Sequence, residues 1–256
     1  MSPMERFNST FGNKPVFAML HLKGDTEHDR LRRTLREIDI LTEAGVDGVI
    51  VENYFGSADD VESVLEYLAT HRSECTYGVN VLDDDVRAFE LARSYGAAFI
   101  QLDSVAGHLA PDDDAAFAEW LAEQREQSSA LVFGGVRFKY QPVLSGNSVE
   151  TDLRLAIERC DAVVVTGVGT GIETDLSKIV DFRDVVGQSF PLITGAGVTI
   201  RNAENQLSVA DGAIVGSYLK DTFTDNGDVS AEHAESLVEA VRRIRGAAPI
   251  DTVRGV

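Results

Sequence analysis

From residue 15 onward the chain alternates between short, uninterrupted apolar runs and longer stretches whose apolar residues recur every three or four positions. The first pattern suits a strand covered on both faces, and the second is the stripe of a helix lying against a sheet. The strand-like runs are Val16 to Leu22, Gly48 to Asn53, Thr76 to Leu82, Ala98 to Asp103, Ala130 to Lys139, Asp161 to Thr166, Phe190 to Thr194 and Gly212 to Gly216. Leu31, Leu35, Ile38 and Leu41, and then Leu65 and Leu68, show the helical spacing between them. Eight such units predict an α/β fold, a parallel sheet closed into one (β/α)8 TIM barrel; an open doubly wound sheet is the alternative. A chain of 256 residues matches the roughly 250 that such a barrel needs. No linker composition interrupts it, so a single domain is expected over 1–256. The barrel would occupy 15–245, and 1–14 would form an N-terminal extension with a short helix opened by Ser2-Pro3.

The last two units carry the most specific local signal. The stretch PLITGAGVTIRNAENQLSVADGAIVGSYLK, residues 191 to 220, reads as strand, glycine turn, helix, strand, glycine turn. Gly195, Ala196 and Gly197, and then Gly216 and Ser217, offer backbone N–H groups with no bulky side chain in front of them, which suits an anion. In this barrel class the loops after strands seven and eight commonly hold a substrate phosphate, so phosphate binding is the expectation there. Taken singly, each glycine pair would be no more than a tight turn.

The other six strands end in reactive groups: His21, Glu52 with Asn53, Asn80, Gln101 with Asp103, Lys139 and Thr166. Barrel enzymes build their sites on that side. A scaffold has no need for an acid, amides, an imidazole and an ammonium group on one rim, because buried unpaired polar groups cost stability. Glu52 or Asp103 is therefore expected as base and Lys139 or His21 as acid or electrostatic stabiliser. Asn53, Asn80, Gln101, Thr166 and Gly167 are expected to bind substrate. Each has a plainer reading: a salt bridge between Glu52 and Lys139, a rim histidine bonded to its neighbours, or ordinary loop material in the GVGTG segment.

Composition narrows the partners. With 42 acidic residues against 23 basic, a net charge of −19 and only five lysines, the surface repels a polyanion, so no nucleic acid is expected. The runs Asp83-Asp84-Asp85 and Asp112-Asp113-Asp114 read as solvated surface. The acid excess also predicts a protein adapted to salt. No apolar run approaches a membrane span and the first fifteen residues show no secretory pattern, so no membrane insertion and a cytoplasmic location are expected. Cys75 and Cys160 offer neither a disulfide framework nor a metal spacing. No cofactor or metal is expected; Mg²⁺ is the ion that oxygen donors such as Glu52, Asn80 and Asp103 would suit. Homo-oligomers are common among barrels, but no segment marks an interface.

The segments VDGVIVEN (46 to 53), YGVNVLDDD (77 to 85), GAAFIQLD (96 to 103), DAVVVTGVGTG (161 to 171) and LITGAGVTIRNAENQLSVADGAIVGSYLK (192 to 220) together resemble the BtpA family, which includes SgcQ-like proteins. The resemblance spans roughly residues 15 to 245. It implies a barrel with rim positions at His21, Glu52, Asn53, Asn80, Lys139, Thr166, Gly195, Gly197 and Gly216, and more a fold than a reaction. The chain departs from the family where an acidic residue and Val-x-Val-Lys-His-Ala are usual in the fifth strand. Here it reads Gly134-Gly135-Val136-Arg137-Phe138-Lys139-Tyr140-Gln141. Gln101 and Asp103 stand where Arg and Asn are usual, and Tyr54-Phe55 replaces Gly-Asp. The leading expectation is an enzyme acting on a small phosphorylated metabolite, a sugar phosphate or nucleotide-like compound, by isomerisation, aldol-type cleavage or glycosidic-bond cleavage. The alternative is a non-catalytic biogenesis or metabolite-binding factor.

Overall fold

The computed structural model describes residues 1–246; the part of the expected domain over 247–256 lies outside the described residues. Eight parallel strands pair in chain order and close, the eighth against the first. They are β1 Val16–His21, β2 Gly48–Glu52, β3 Tyr77–Asn80, β4 Phe99–Ala106, β5 Leu131–Val136, β6 Ala162–Val165, β7 Leu192–Thr194 and β8 Gly212–Val215. After α1 (Pro3–Phe11), the outer helices are α2 Glu27–Ala44, α3 Ala58–His71, α4 Asp85–Tyr95, α5 Pro111–Glu126, α6 Val149–Arg159, α7 Leu176–Val186, α8 Ala203–Val209 and α9 Ala231–Gly246.

The period-two rule sorts each strand between two cores. Val16, Ala18 and Leu20 join the layer between strands and helices, whereas Phe17 and Met19 join the barrel interior with Ile50, Phe99, Phe133, Val164, Ile193 and Ile214. The base of that interior is aromatic. Phe99 and Phe133 stack with centroids 4.5 Å apart, and Phe17 lies 4.9 Å from Phe99. Gly78 leaves the room this needs, because a Cβ there would meet the Phe99 ring at 2.3 Å.

Helix α1 closes this end. It starts with the capping box of Ser2 and Glu5, and Phe7 and Phe11, one turn apart, insert into the cluster; Phe11 lies 5.0 Å from Phe17 and 5.6 Å from Phe133. Burying the two rings stabilises the closure by about 1.5–3 kcal/mol each. At the opposite end the register brings polar groups side by side, His21 next to Glu52 and Glu52 next to Asn80.

Two strands, β4 and β5, differ most from the sequence pattern, and β3 and β7 are shorter than their apolar runs. β5 stops at Val136 rather than running to Lys139, because Arg137 and Tyr140 adopt positive φ (49° and 64°) and turn the chain. The buried Asp152 holds Arg137 in that turn, accepting from its Nε at 2.7 Å. β4 continues past Asp103 to Ala106, with a register irregularity against β5. Lys220, fully buried, pairs with Glu37 at 2.9 Å, and Lys14 donates to the Ala210 carbonyl at 3.2 Å beyond the end of α8. Among the described residues no helix is long and apolar enough to cross a membrane.

Candidate active site

The C-terminal strand ends surround a cavity of about 770 Å³, within the range of small-molecule sites. His21, Glu52, Gln101, Asp103 and Lys139 line it, together with Gly195, Ala196, Gly197, Gly216 and Ser217. The structure thus brings every expected catalytic and cradle residue to one chamber. It does not bring all the expected substrate-binding residues there.

At the first four strands the polar groups are buried and coupled. The Asn80 amide donates to Glu52 Oε1 at 3.0 Å and to Asp103 Oδ1 at 3.3 Å, so Asn80 spaces the two carboxyls. The Nδ1 of His21 lies 2.9 Å from the Asp225 carbonyl oxygen. A carbonyl can only accept, so Nδ1 carries the hydrogen and Nε2 presents its lone pair. That Nε2 sits 3.6 Å from Glu52 Oε2, and the ring stacks on Tyr54 at 4.8 Å.

Burial pushes the Glu52 carboxyl up to about 8; the Asp103 charge adds to this, and Lys139 and Asn80 oppose it. Burial likewise pushes the His21 imidazole down to about 4. At pH 7 the pair is a carboxylic acid facing a neutral imidazole, not an ion pair. Both shifts favour the neutral forms, which put a proton on Glu52 and leave the Nε2 lone pair of His21 free to accept.

Lys139 reaches the cavity from the turn after β5. Its ammonium donates to the Thr170 hydroxyl at 3.2 Å rather than to a carboxylate, so the salt bridge with Glu52 is not formed. Its backbone N–H donates to Thr166 Oγ1 at 2.9 Å. Thr166 is fully buried, and its carbonyl accepts from Lys178 at 2.6 Å. Gly167 packs against the Glu173 carbonyl. These two residues brace the loop after β6, while its Thr170 and Gly171 line the cavity. Asn53 is likewise a brace: its Oδ1 accepts from the Leu82 N–H at 2.7 Å and fixes the loop after β3.

In the loops after β7 and β8, the Gly195 N–H already donates to the Val165 carbonyl at 2.8 Å and belongs to the sheet. The N–H groups of Ala196, Gly197 and Gly216 make no turn, loop or cap hydrogen bond to backbone among the described residues, and Ser217 lines the cavity beside them. Gly197 has φ +65°, and a Cβ on it would meet the backbone of Ile172 and Glu173 at 2.2–2.4 Å. Only glycine fits there. Gly216 is different: its Cβ would find its nearest atoms at 3.5 Å. Asn202 pins the first loop, donating to the Gly197 carbonyl at 2.9 Å and accepting from the Thr199 N–H at 2.7 Å. Arg201 lines the cavity beside it, a cation that periodicity could not single out from an exposed helix start.

A smaller cavity of about 170 Å³ adjoins the chamber on the β3 and β4 side and shares Asp83, Asp103 and Gln141 with it. Asp85 and Ser104 also line it. The Asp83 to Asp85 run is thus not uniform solvated surface. Asp84 caps α4 by accepting from the Arg87 N–H at 2.9 Å, and Asp85 is half-buried, with burial and then the Asp103 charge pushing its carboxyl up to about 6. In the second run, Asp114 receives both Arg159 nitrogens at 2.7–2.8 Å. Among the described residues no three His, Cys, Asp or Glu side chains are arranged to hold a metal ion.

Residues 12–243 match the model of the BtpA family. An uncharacterized protein of Thermococcus kodakarensis is 30% identical over 92% of this chain and 98% of its own length. The photosystem I biogenesis protein BtpA of Synechocystis sp. is 26% identical, covering 93% of this chain and 91% of its own. Among solved structures, thiamine phosphate pyrophosphorylase from Pyrococcus furiosus superposes with a TM-score of 0.58 at 15% identity, over 90% of this chain and 96% of that one. At that identity the likeness is one of fold.

Proposed function

Because the chain belongs to the BtpA family, whose resemblance carries a fold rather than a reaction, the function rests on the chamber itself. We propose an enzyme that transfers protons on a small phosphorylated metabolite. The observation that carries this reading is the pairing of a buried Glu52, raised toward its protonated form, with the Nε2 lone pair of His21 in a chamber whose neighbouring β7 and β8 loops present the backbone N–H groups of two glycine turns. The phosphate would sit on Ala196, Gly197, Gly216 and Ser217 with Arg201 nearby, which fixes the reacting carbons over Glu52. Glu52 gives its proton to a developing oxyanion or leaving group, and Asp103 or His21 takes one. Lys139 stabilises the negative charge that forms. Isomerisation, aldol-type cleavage and glycosidic-bond cleavage all need this pair of transfers. The name of the thiamine phosphate enzyme with the same fold agrees with a phosphorylated substrate.

A thermal-shift screen of sugar phosphates and nucleotides beside their unphosphorylated counterparts tests the reading, since a ligand that binds only the folded state raises the melting temperature. Stabilisation by a phosphorylated compound alone, lost in Gly216→Asp, is the expected result. Gly216 suits this test because a side chain there meets no backbone, unlike Gly197. Silence across the screen at millimolar ligand would sink it. That outcome would favour the second reading, a non-catalytic factor like the biogenesis protein of Synechocystis. The exposed Val168, Tyr140, Leu144 and Phe223 on the rim loops are the observation in its favour.

A further inference from the structure

The wall opposite the phosphate cradle has the opposite polarity. In an eight-stranded barrel β3 and β4 lie across from β7 and β8. On the β3 and β4 side stand Asp83, Asp85 and Asp103, with Glu52 at the end of the neighbouring β2 and Lys139 as the nearby cation. Carboxylates alone would only mark an acidic corner. Two further side chains point to a ligand: among the described residues Gln101 Oε1, on a residue 3% exposed, and Ser104 Oγ, on one 6% exposed, have no hydrogen-bond partner. Gln101 lines the main chamber and Ser104 the smaller one beside it. Gln101 Oε1 can only accept, so it is arranged for a group that brings an N–H or O–H donor, and the Ser104 hydroxyl beside it can accept from the same group or donate to a carboxylate.

Charge decides which donor. A sugar hydroxyl would satisfy the acceptor but bring no counter-charge to Asp83, Asp85 and Asp103. A protonated nitrogen does both. A bare metal ion fits less well, since among the described residues no three carboxylate or imidazole groups are arranged around one point. Resting on the phosphate reading above, we propose that this wall binds a cationic nitrogen of the substrate, so that the chamber selects phosphorylated amines: phosphate at β7 and β8, ammonium or amidinium at Asp103, which lines both cavities, with Gln101 on the main-chamber side and Asp85 on the other. The acid excess of the wall then works as a specificity element, rejecting compounds with a second anionic group at that end.

Isothermal titration of the full chain at pH 7 with glucosamine 6-phosphate, glucose 6-phosphate and inorganic phosphate tests this. The amino sugar phosphate should bind at least tenfold more tightly than its hydroxyl counterpart. Asp85→Asn should erase most of that preference while glucose 6-phosphate binding stays within about threefold, and Asp103→Asn should erase it as well. Their melting temperatures should equal or exceed the parent's, because a buried repulsion is relieved, which separates lost recognition from lost fold. Equal affinity for the two sugars, or a preference surviving both substitutions, overturns the cationic wall and keeps the phosphate cradle. Binding of inorganic phosphate alone does the same. No response to any of the three overturns both. Stabilisation by Mg²⁺ alone that disappears in Asp85→Asn would replace the ammonium by a metal.

Discussion

The same eight strands build two interiors that obey opposite rules. At the base, Phe7, Phe11, Phe17, Phe99 and Phe133 pack ring to ring with centroids 4.5–5.9 Å apart. One strand register further up, His21, Glu52, Asn80 and Gln101 are equally buried but polar, and Gln101 Oε1 has no partner. The base gains stability from every contact. The top gives some of it up, holding a carboxylic acid far from its ordinary range and acceptors without donors, as a site shaped for a ligand does. Within one barrel, stability and chemistry are thus separated by two residues on β4, Phe99 to Gln101, and by four on β1, Phe17 to His21.

Substitutions at the two ends should break the molecule in different ways. The largest effect is expected from Glu52→Gln, which keeps the shape but removes the proton: turnover on the identified substrate should fall by about 10²–10⁴-fold, read by steady-state kinetics, with the fold intact by circular dichroism. Next comes Phe133→Ala, which leaves a hole in the stacked base and should cost about 3–5 kcal/mol in denaturant unfolding. Affinity of the chamber for ligand should be nearly unchanged in the molecules that remain folded.

A third effect sharpens the contrast through pH. The Glu52 carboxyl is raised in the folded state to about 8 from 4.5, so the folded chain binds its proton more tightly than the unfolded one. That contribution is fully present below pH 4.5 and is lost as pH rises through 8. The parent should therefore lose stability relative to Glu52→Gln between pH 5 and pH 9, by an amount on the order of a few kcal/mol. Parallel melting curves for the two proteins across that range would contradict a buried protonated Glu52. Phe133→Ala should show no such crossing. His21 acts at the other edge: lowered from 6.5 to about 4, it contributes stability above pH 6.5 that disappears as pH falls through 4.

The smallest effect involves neither interior. With a net charge of −19, the surface repels itself at low ionic strength, and the melting temperature should rise from low to molar salt. Equal melting temperatures at both would remove salt adaptation from the account.

The strands, their order and the polar rim were legible because an apolar run bounded by a glycine or a polar residue has few ways to lie in a barrel. The turn at Arg137 and Tyr140 was not, since nothing in the local pattern announces positive φ in residues other than glycine. It matters, because it carries Lys139 off β5 and over the chamber. The role of Asp85 was equally hidden: in sequence it is one of three equivalent acids, and only the fold turns it toward Asp103 while Asp84 caps the helix. Phe7 and Phe11 were part of a short helix expected ahead of the barrel, but their partners Phe17, Phe99 and Phe133 are distant in the chain. Asn53 and Thr166 look like ligand groups and instead hold loops, because what a side chain reaches at a strand end depends on which face it leaves from.

The five lysines have a practical consequence. All are at least partly buried: Lys220 is sealed with Glu37, Lys14 and Lys178 donate to carbonyls, Lys23 pairs with Asp228 at the rim, and Lys139 opens into the chamber. An acylating reagent meeting this protein therefore finds few reactive amines besides the N-terminus, and one of them reports directly on the site. Mass-spectrometric footprinting of Lys139, with and without a candidate compound, turns the scarcity of lysine into a readout of occupancy that needs neither a label nor a known reaction.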